Sequence, residues 1–229
     1  MEPWFKPVAD HALLVCFSET HDERAHARVV ALDKVIAANP PAGMIETVPA
    51  LVNLLVSFDV SITDHDRVAA HVRELLKDVT ADKIAGQMRR VQVCYEAPYS
   101  PDLDKVAKAV GLSPEAVITA HLAGQYDVLM YGFSPGYAYL SGIPEEIRIP
   151  RKPTPVRDVP AGSVIIAGPQ CLVTTLTMPT GWSIIGRSPT RILTGDAERP
   201  FLFDVGDQVT FERIDLADFE RAQKEADDD

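Results

Sequence analysis

The run SVIIAGPQCLVTTLTMPTGWSIIGR, residues 163–187, decides how the second half of this chain folds. Short stretches rich in valine, isoleucine and leucine are cut by Gly168 and Pro169 and again by Pro179 and Gly181, with no 3.6-residue period. Apolar runs of that length between turn formers read as strands. The same punctuation continues outward through VLMYGF (128–133), RILT (191–194), FLFDV (201–205) and QVTFERI (208–214). From residue 128 onward the chain therefore reads as a β-barrel or sandwich.

Between residues 131 and 189 lie seven of the 13 glycines and nine of the 18 prolines, residues that set special backbone angles and permit close backbone approach. Five basic side chains there (Arg148, Arg151, Lys152, Arg157, Arg187) meet three acidic ones (Glu145, Glu146, Asp158), although the whole chain has net charge -11. A locally positive, tightly turned surface on an acidic protein suits a small anionic ligand. Arg151, Arg157 and Arg187 stand in or beside the turns, where guanidinium groups can grip a carboxylate or phosphate with two hydrogen bonds. Gln170 follows the turn AGP and can bond an amide or ring carbonyl, while Tyr131, Phe133 and Tyr137 flank a rigid GFSPG loop.

Upstream the pattern changes. HALLVCFS (11–18) reads as a strand, and the helix after it carries Ala25, Val29, Leu32 and Ile36 on one face. MIETVPA and LVNLLVSFD follow as strands, a helix from Thr63 or Asp64 buries Val68, Val72, Leu75 and Leu76, and RRVQVCYE supplies a last strand. That order predicts a ferredoxin-like α+β domain over residues 1–97. Residues 98–229 then hold two short helices opened by SPDL and SPEA, the first stopped by Gly111, and the β-rich domain.

At 229 residues, 46% hydrophobic and 24% charged, the chain has no apolar run long enough to span a bilayer, and MEPWFKPVADH lacks a signal-peptide pattern, which points to a soluble, cytoplasmic protein. Cys16, Cys94 and Cys171 lie too far apart for a metal knuckle and read as reduced, mostly buried thiols. The negative charge disfavours nucleic-acid binding, and the helix-turn-helix-like VAKAVGLSPEAVITAHLAG carries no cation in its second helix. GFSPG matches a nucleophile elbow in letters only, because Pro135 has no N–H for an oxyanion. No metal is expected, DHD (64–66) reading as a helix cap, and the acidic residues 215–229 read as a solvated end.

As an ordered set, GLSPEAVITAH (111–121), GFSPGYAYLSG (132–142), PRKPTPVRDVPAGSVIIAGPQ (150–170), GWSIIGRSP (181–189) and DVGDQVTFERI (204–214) resemble the family that comprises the 5-oxoprolinase B-type subunits, allophanate hydrolase subunit 1 and the sporulation-kinase inhibitors. The resemblance implies a cyclophilin-like β-barrel after the α+β domain. It also implies a homologous barrel partner, the C-type component of 5-oxoprolinase, sometimes a third subunit, and ATP-dependent opening of 5-oxoproline, a lactam, to glutamate. A related module serves urea carboxylase. The chain departs from the family pattern after Gln170, with Cys171, Leu172, Thr174 and Thr175 at the next positions, which bears on the substrate.

Two classes of function follow. An enzyme subunit needs Tyr131, Phe133, Arg151, Arg157, Gln170 and Arg187 to bind substrate, with His121 and Asp158 the candidates for proton transfer and ATP bound by the assembly. A regulatory protein would instead dock on a sensor kinase through Tyr131, Phe133, Tyr137 and Tyr139.

Overall fold

The computed structural model describes residues 2–20, 22–80 and 86–228, and the chain divides into units 1–85 and 86–229. The first unit runs β1 (Trp4–Val8), β2 (Ala12–Cys16), α1 (Glu23–Ala38), β3 (Met44–Pro49), β4 (Asn53–Phe58) and α2 (His65–Leu75). Its antiparallel sheet has the order β1-β2-β4-β3. Asp22 and Asp64 cap the two helices by accepting the N–H of Ala25 at 2.7 Å and of Arg67 at 2.9 Å, satisfying donors that have no partner within the helix. The faces read from periodicity are the buried ones: Val29, Leu32, Ile36, Val68 and Val72 pack with Leu13, Val15, Leu54, Val56 and Phe58.

One strand of this unit is not the expected one. RRVQVCYE does not complete the first sheet, and the edge beside β2 is filled by β1, whose Pro7 has no N–H to offer a further neighbour and so suits an edge. The expected terminal strand belongs to the second unit as β5 (Met88–Cys94), where it pairs in parallel with the last strand from Met88↔Gln208 to Ile214↔Cys94. Alternation records that Val91 and Val93 are buried; it does not record which sheet buries them.

After β5 come α3 (Leu103–Val110), α4 (Pro114–Ala123), β6 (Tyr126–Tyr131), β7 (Ala138–Leu140), β8 (Val156–Val159), β9 (Ser163–Ala167), β10 (Gln170–Val173), β11 (Met178–Thr180), β12 (Ser183–Arg187), β13 (Gln208–Ile214) and α5 (Leu216–Asp228). The barrel closes in the order β10-β7-β6-β13-β5-β12-β9. RILT and FLFDV form no strand of their own and meet only at the bridge Leu193↔Phe201. The strand-like run 163–187 is apolar without alternation because both of its faces are covered. Val164, Ile166, Cys171, Val173 and Ile185 join the main core with α3 and α4, while Ile165, Ala167, Leu172 and Ile184 pack with Tyr137, Trp182 and the β8–β11 ribbon.

The two helix openings differ. Ser113 caps α4 by accepting the Ala116 N–H at 3.1 Å, with Pro114 in the first turn. In α3 the N-cap is Asp102, which makes no capping bond; its buried carboxylate pairs with Lys152 and accepts the Ile184 N–H at 3.0 Å. Burial raises the Asp102 pKa, and the bonds from Lys152 and Ile184 outweigh it to leave the carboxyl below its usual range. Gly111 ends α3 in the left-handed region, as expected. All three cysteines are buried thiols. Among the described residues no helix is long and apolar enough to cross a membrane.

Candidate functional site

A cleft of about 200 Å³ opens at one end of the barrel, between the Ala161–Gly162 turn, Thr174 and Thr175, the segment 187–193 and Gln223 of α5. Its geometry starts from glycine. Gly162 sits at φ +81°, its N–H donates to the Thr174 carbonyl at 2.7 Å, and its carbonyl accepts the Ser188 N–H at 2.8 Å. A Cβ there would stand 2.4 Å from the Ser188 oxygen, so only glycine lets the two turns close on each other. The GFSPG loop adjoins the same end, because Thr175 Oγ1 donates to the Pro135 carbonyl at 2.8 Å and lies 3.4 Å from Ser134 Oγ.

Arg187, the last residue of β12, lines this cleft half-buried. Its Nε donates to the Ala161 carbonyl at 3.2 Å, and its guanidinium carbon lies 5.6 Å from the centre of the Tyr99 ring. One N–H and one face thus fix the group, and its terminal nitrogens remain for an anion. Arg191 lines the same cleft, and both it and Gln223 also have partners within the protein.

The other expected residues lie elsewhere. Arg151 stacks over Trp182 at 5.5 Å, beyond the opposite end of β12. With a rise of about 3.3 Å per residue, the length of β12 sets that position ~16 Å from Arg187. Arg157 and Asp158 are exposed on β8, Asp158 with φ 54°, and Gln170 starts β10 opposite Ala167. The expectation that Arg151, Arg157, Arg187, Gln170 and His121 converge on one hollow is therefore corrected. Arg151 and Arg187 stand at opposite ends of β12, and of these residues the cleft receives Arg187.

His121 is fully buried inside the barrel. Its Nδ1 lies 2.8 Å from the Tyr95 hydroxyl, its Nε2 lies 3.5 Å from Cys171 Sγ, and its carbonyl accepts the Tyr126 hydroxyl at 2.8 Å. Burial holds the ring neutral by lowering its pKa to about 3 and raises that of the Cys171 thiol. A sealed, neutral imidazole beside a protonated thiol is a packing unit, so the structure places His121 away from any solvent-borne proton transfer. Tyr131 donates its hydroxyl to the Phe203 carbonyl and pins that segment. Burial, then the Asp204 and Asp207 carboxylates, raise its pKa. Phe133 is 74% exposed at φ 71°, its ring 5.4 Å from Tyr137, whose pKa burial pushes up to about 12.

Sequence reasoning missed Ser188, Arg191 and Gln223 at the cleft. Ser188 lies in the GWSIIGRSP motif, which was read for its arginine alone, Arg191 opens the run RILT, which was read as a strand, and Gln223 lies in the stretch read as a solvated end.

Residues 3–203 match the family described as carboxyltransferase domain, subdomain C and D. The chain belongs to this family. Among its relatives, the B subunit of 5-oxoprolinase from Bacillus subtilis (strain 168) is 35% identical over 230 residues, covering 96% of each chain. Among solved structures, TTHA0988 superposes with a TM-score of 0.78 at 32% identity over 90% of this carboxyltransferase-family chain, which spans 40% of that longer one. The K. lactis urea amidolyase gives a TM-score of 0.79 at 16% identity, covering 98% of this chain and 16% of that one, a likeness of fold. The match to the family ends before α5, so Gln223 comes to the cleft from outside it.

Proposed function

We propose that this chain is a barrel subunit of an ATP-dependent amidohydrolase that opens 5-oxoproline to glutamate, active only with its partner subunits, chief among them a homologous barrel subunit. The observation that carries this reading is the 35% identity to a 5-oxoprolinase B subunit across 96% of both chains. The cleft is consistent with it. Arg187, held by Ala161 and Tyr99, is suited to the substrate carboxylate, and Arg191 adds positive charge beside it.

At about 200 Å³ the cleft is below the usual ~300–1,000 Å³ of a complete small-molecule site. It suits a compact anion, with a companion subunit closing the open side. It does not fit a whole nucleotide, so ATP is assigned to the assembly. When bound there, ATP supplies phosphoryl transfer to activate the lactam carbonyl. This chain's own part is to bind and orient the anion. A cytoplasmic location follows from the need for ATP and agrees with the three free thiols.

A regulatory role is the second reading, favoured by Phe133, an aromatic ring 74% exposed on a loop fixed by Thr175. One experiment separates the two: purify the chain with its companion subunits and measure ATP-dependent glutamate release from 5-oxoproline. Turnover that needs every subunit supports the enzyme. No turnover by the assembly, with kinase inhibition by the single chain, supports regulation.

A further inference from the structure

We propose that Gln223 of α5 determines specificity at the Arg187 cleft by reading the amide of a lactam ring. The proposal rests on the 5-oxoprolinase reading and adds to it the part of the substrate that an arginine cannot recognise.

Two contacts seat α5. Phe219 is 1% exposed and its ring lies 4.3 Å from that of Tyr99, while the Leu216 N–H donates to Glu96 Oε1 at 3.2 Å. Residues four apart share a helix face, so docking Phe219 turns Gln223 to the same side one turn later. Tyr99 is also the ring beneath the Arg187 guanidinium, at 5.6 Å. One aromatic side chain therefore positions both the arginine and the helix that brings Gln223 to the cleft.

The chemistry of the lining selects Gln223. Each of the four hydroxyls presents a single oxygen, which cannot set a donor and an acceptor side by side along one edge. Thr174 Oγ1 donates to the Pro160 carbonyl and accepts the Ser163 N–H, and Thr175 Oγ1 donates to the Pro135 carbonyl. Ser188 Oγ accepts the Thr190 N–H, and Thr190 Oγ1 accepts the Gln92 N–H. Arg187 and Arg191 offer donors only, which suits a carboxylate. Gln223 is the carboxamide among the lining side chains, carrying a carbonyl acceptor and an N–H donor on one edge. A lactam ring locks its amide cis, so its own N–H and C=O also share one edge and can pair with that carboxamide through two hydrogen bonds. The contact Gln223 makes within the protein is exchanged for this pair when ligand enters.

The test uses the assembled complex and two ligands, 5-oxoproline and cyclopentanecarboxylate, which keeps the ring and carboxylate and lacks the amide. Calorimetric titration without ATP gives both affinities, and glutamate release with ATP gives KM. Wild type is expected to prefer 5-oxoproline by about tenfold or more, as two neutral hydrogen bonds allow. Gln223→Met, which keeps length and helix propensity, is expected to erase that preference, leave cyclopentanecarboxylate within about twofold and raise KM about tenfold. Arg187→Ala should weaken both ligands. If wild type turns over but Gln223→Met keeps its preference, or weakens both ligands alike, the assignment to Gln223 is overturned while the enzyme reading stands. A wild-type complex that binds neither ligand and releases no glutamate overturns both.

Discussion

Nδ1 of His121 lies 2.8 Å from the hydroxyl of Tyr95, inside a barrel that buries both residues. Burial holds the imidazole at a pKa of about 3 in the folded protein, against 6.5 for an ordinary histidine. Between those values the unfolded chain binds the proton and the folded one does not, so stability falls as pH drops below 6.5. Relative to pH 7, this residue removes about 2 kcal/mol at pH 5. Urea unfolding of wild type should show that loss, and His121→Gln should flatten the slope over the same range. An unchanged slope would place the acid sensitivity elsewhere.

Gly162 and Gly168 both have positive φ, +81° and +54°, and differ in what surrounds them. A Cβ at 162 meets the Ser188 oxygen at 2.4 Å; at 168 it meets nothing within 4 Å. Gly168→Ala should cost about 1 kcal/mol, the left-handed penalty alone. Gly162→Ala should cost ~3 kcal/mol, since the clash adds to the strain and pushes apart the turns that shape the cleft. Denaturation midpoints of the two variants decide this, and equal costs would refute the close approach.

Arg187→Ala should lower kcat/KM of the assembled enzyme about 100-fold, the worth of a charged hydrogen-bonded contact to the substrate. Its bond to Ala161 and its contact with Tyr99 are worth about 1 kcal/mol of stability together, so the fall in Tm should be small. A fall as large as that from truncating Ile166 would mark the arginine as structural.

Phe133→Gly should move stability and assembly in opposite directions. The native φ of 71° strains any side chain, so glycine there should raise stability by about 1 kcal/mol. Losing a ring that is 74% exposed should weaken capture of the companion subunit at least tenfold if the ring anchors the interface. Thermal melts of the single chain and copurification yield measure the two effects.

What could be read in advance follows the range of the forces involved. Helical faces at Val29, Leu32 and Ile36, the cap at Ser113, the left-handed stop at Gly111 and the strands around SVIIAG depend on neighbours a few residues away, and the chain carried them openly. The family was legible for a related reason, because its turn motifs keep their order along the chain.

Partnership was another matter. Alternation marks which side of β5 is buried, yet only the folded chain sets Met88 beside Gln208 and leaves the first sheet's edge to Trp4–Val8. The arginines of neighbouring turn motifs were separated because the two ends of β12 face different ends of the barrel. Gln223, set among the acidic residues of the chain's end, gave no local signal at all. Phe219 seats its helix on Tyr99, a contact between residues far apart in the chain that no nearby pattern encodes, and tertiary packing alone made that segment a wall of the cleft.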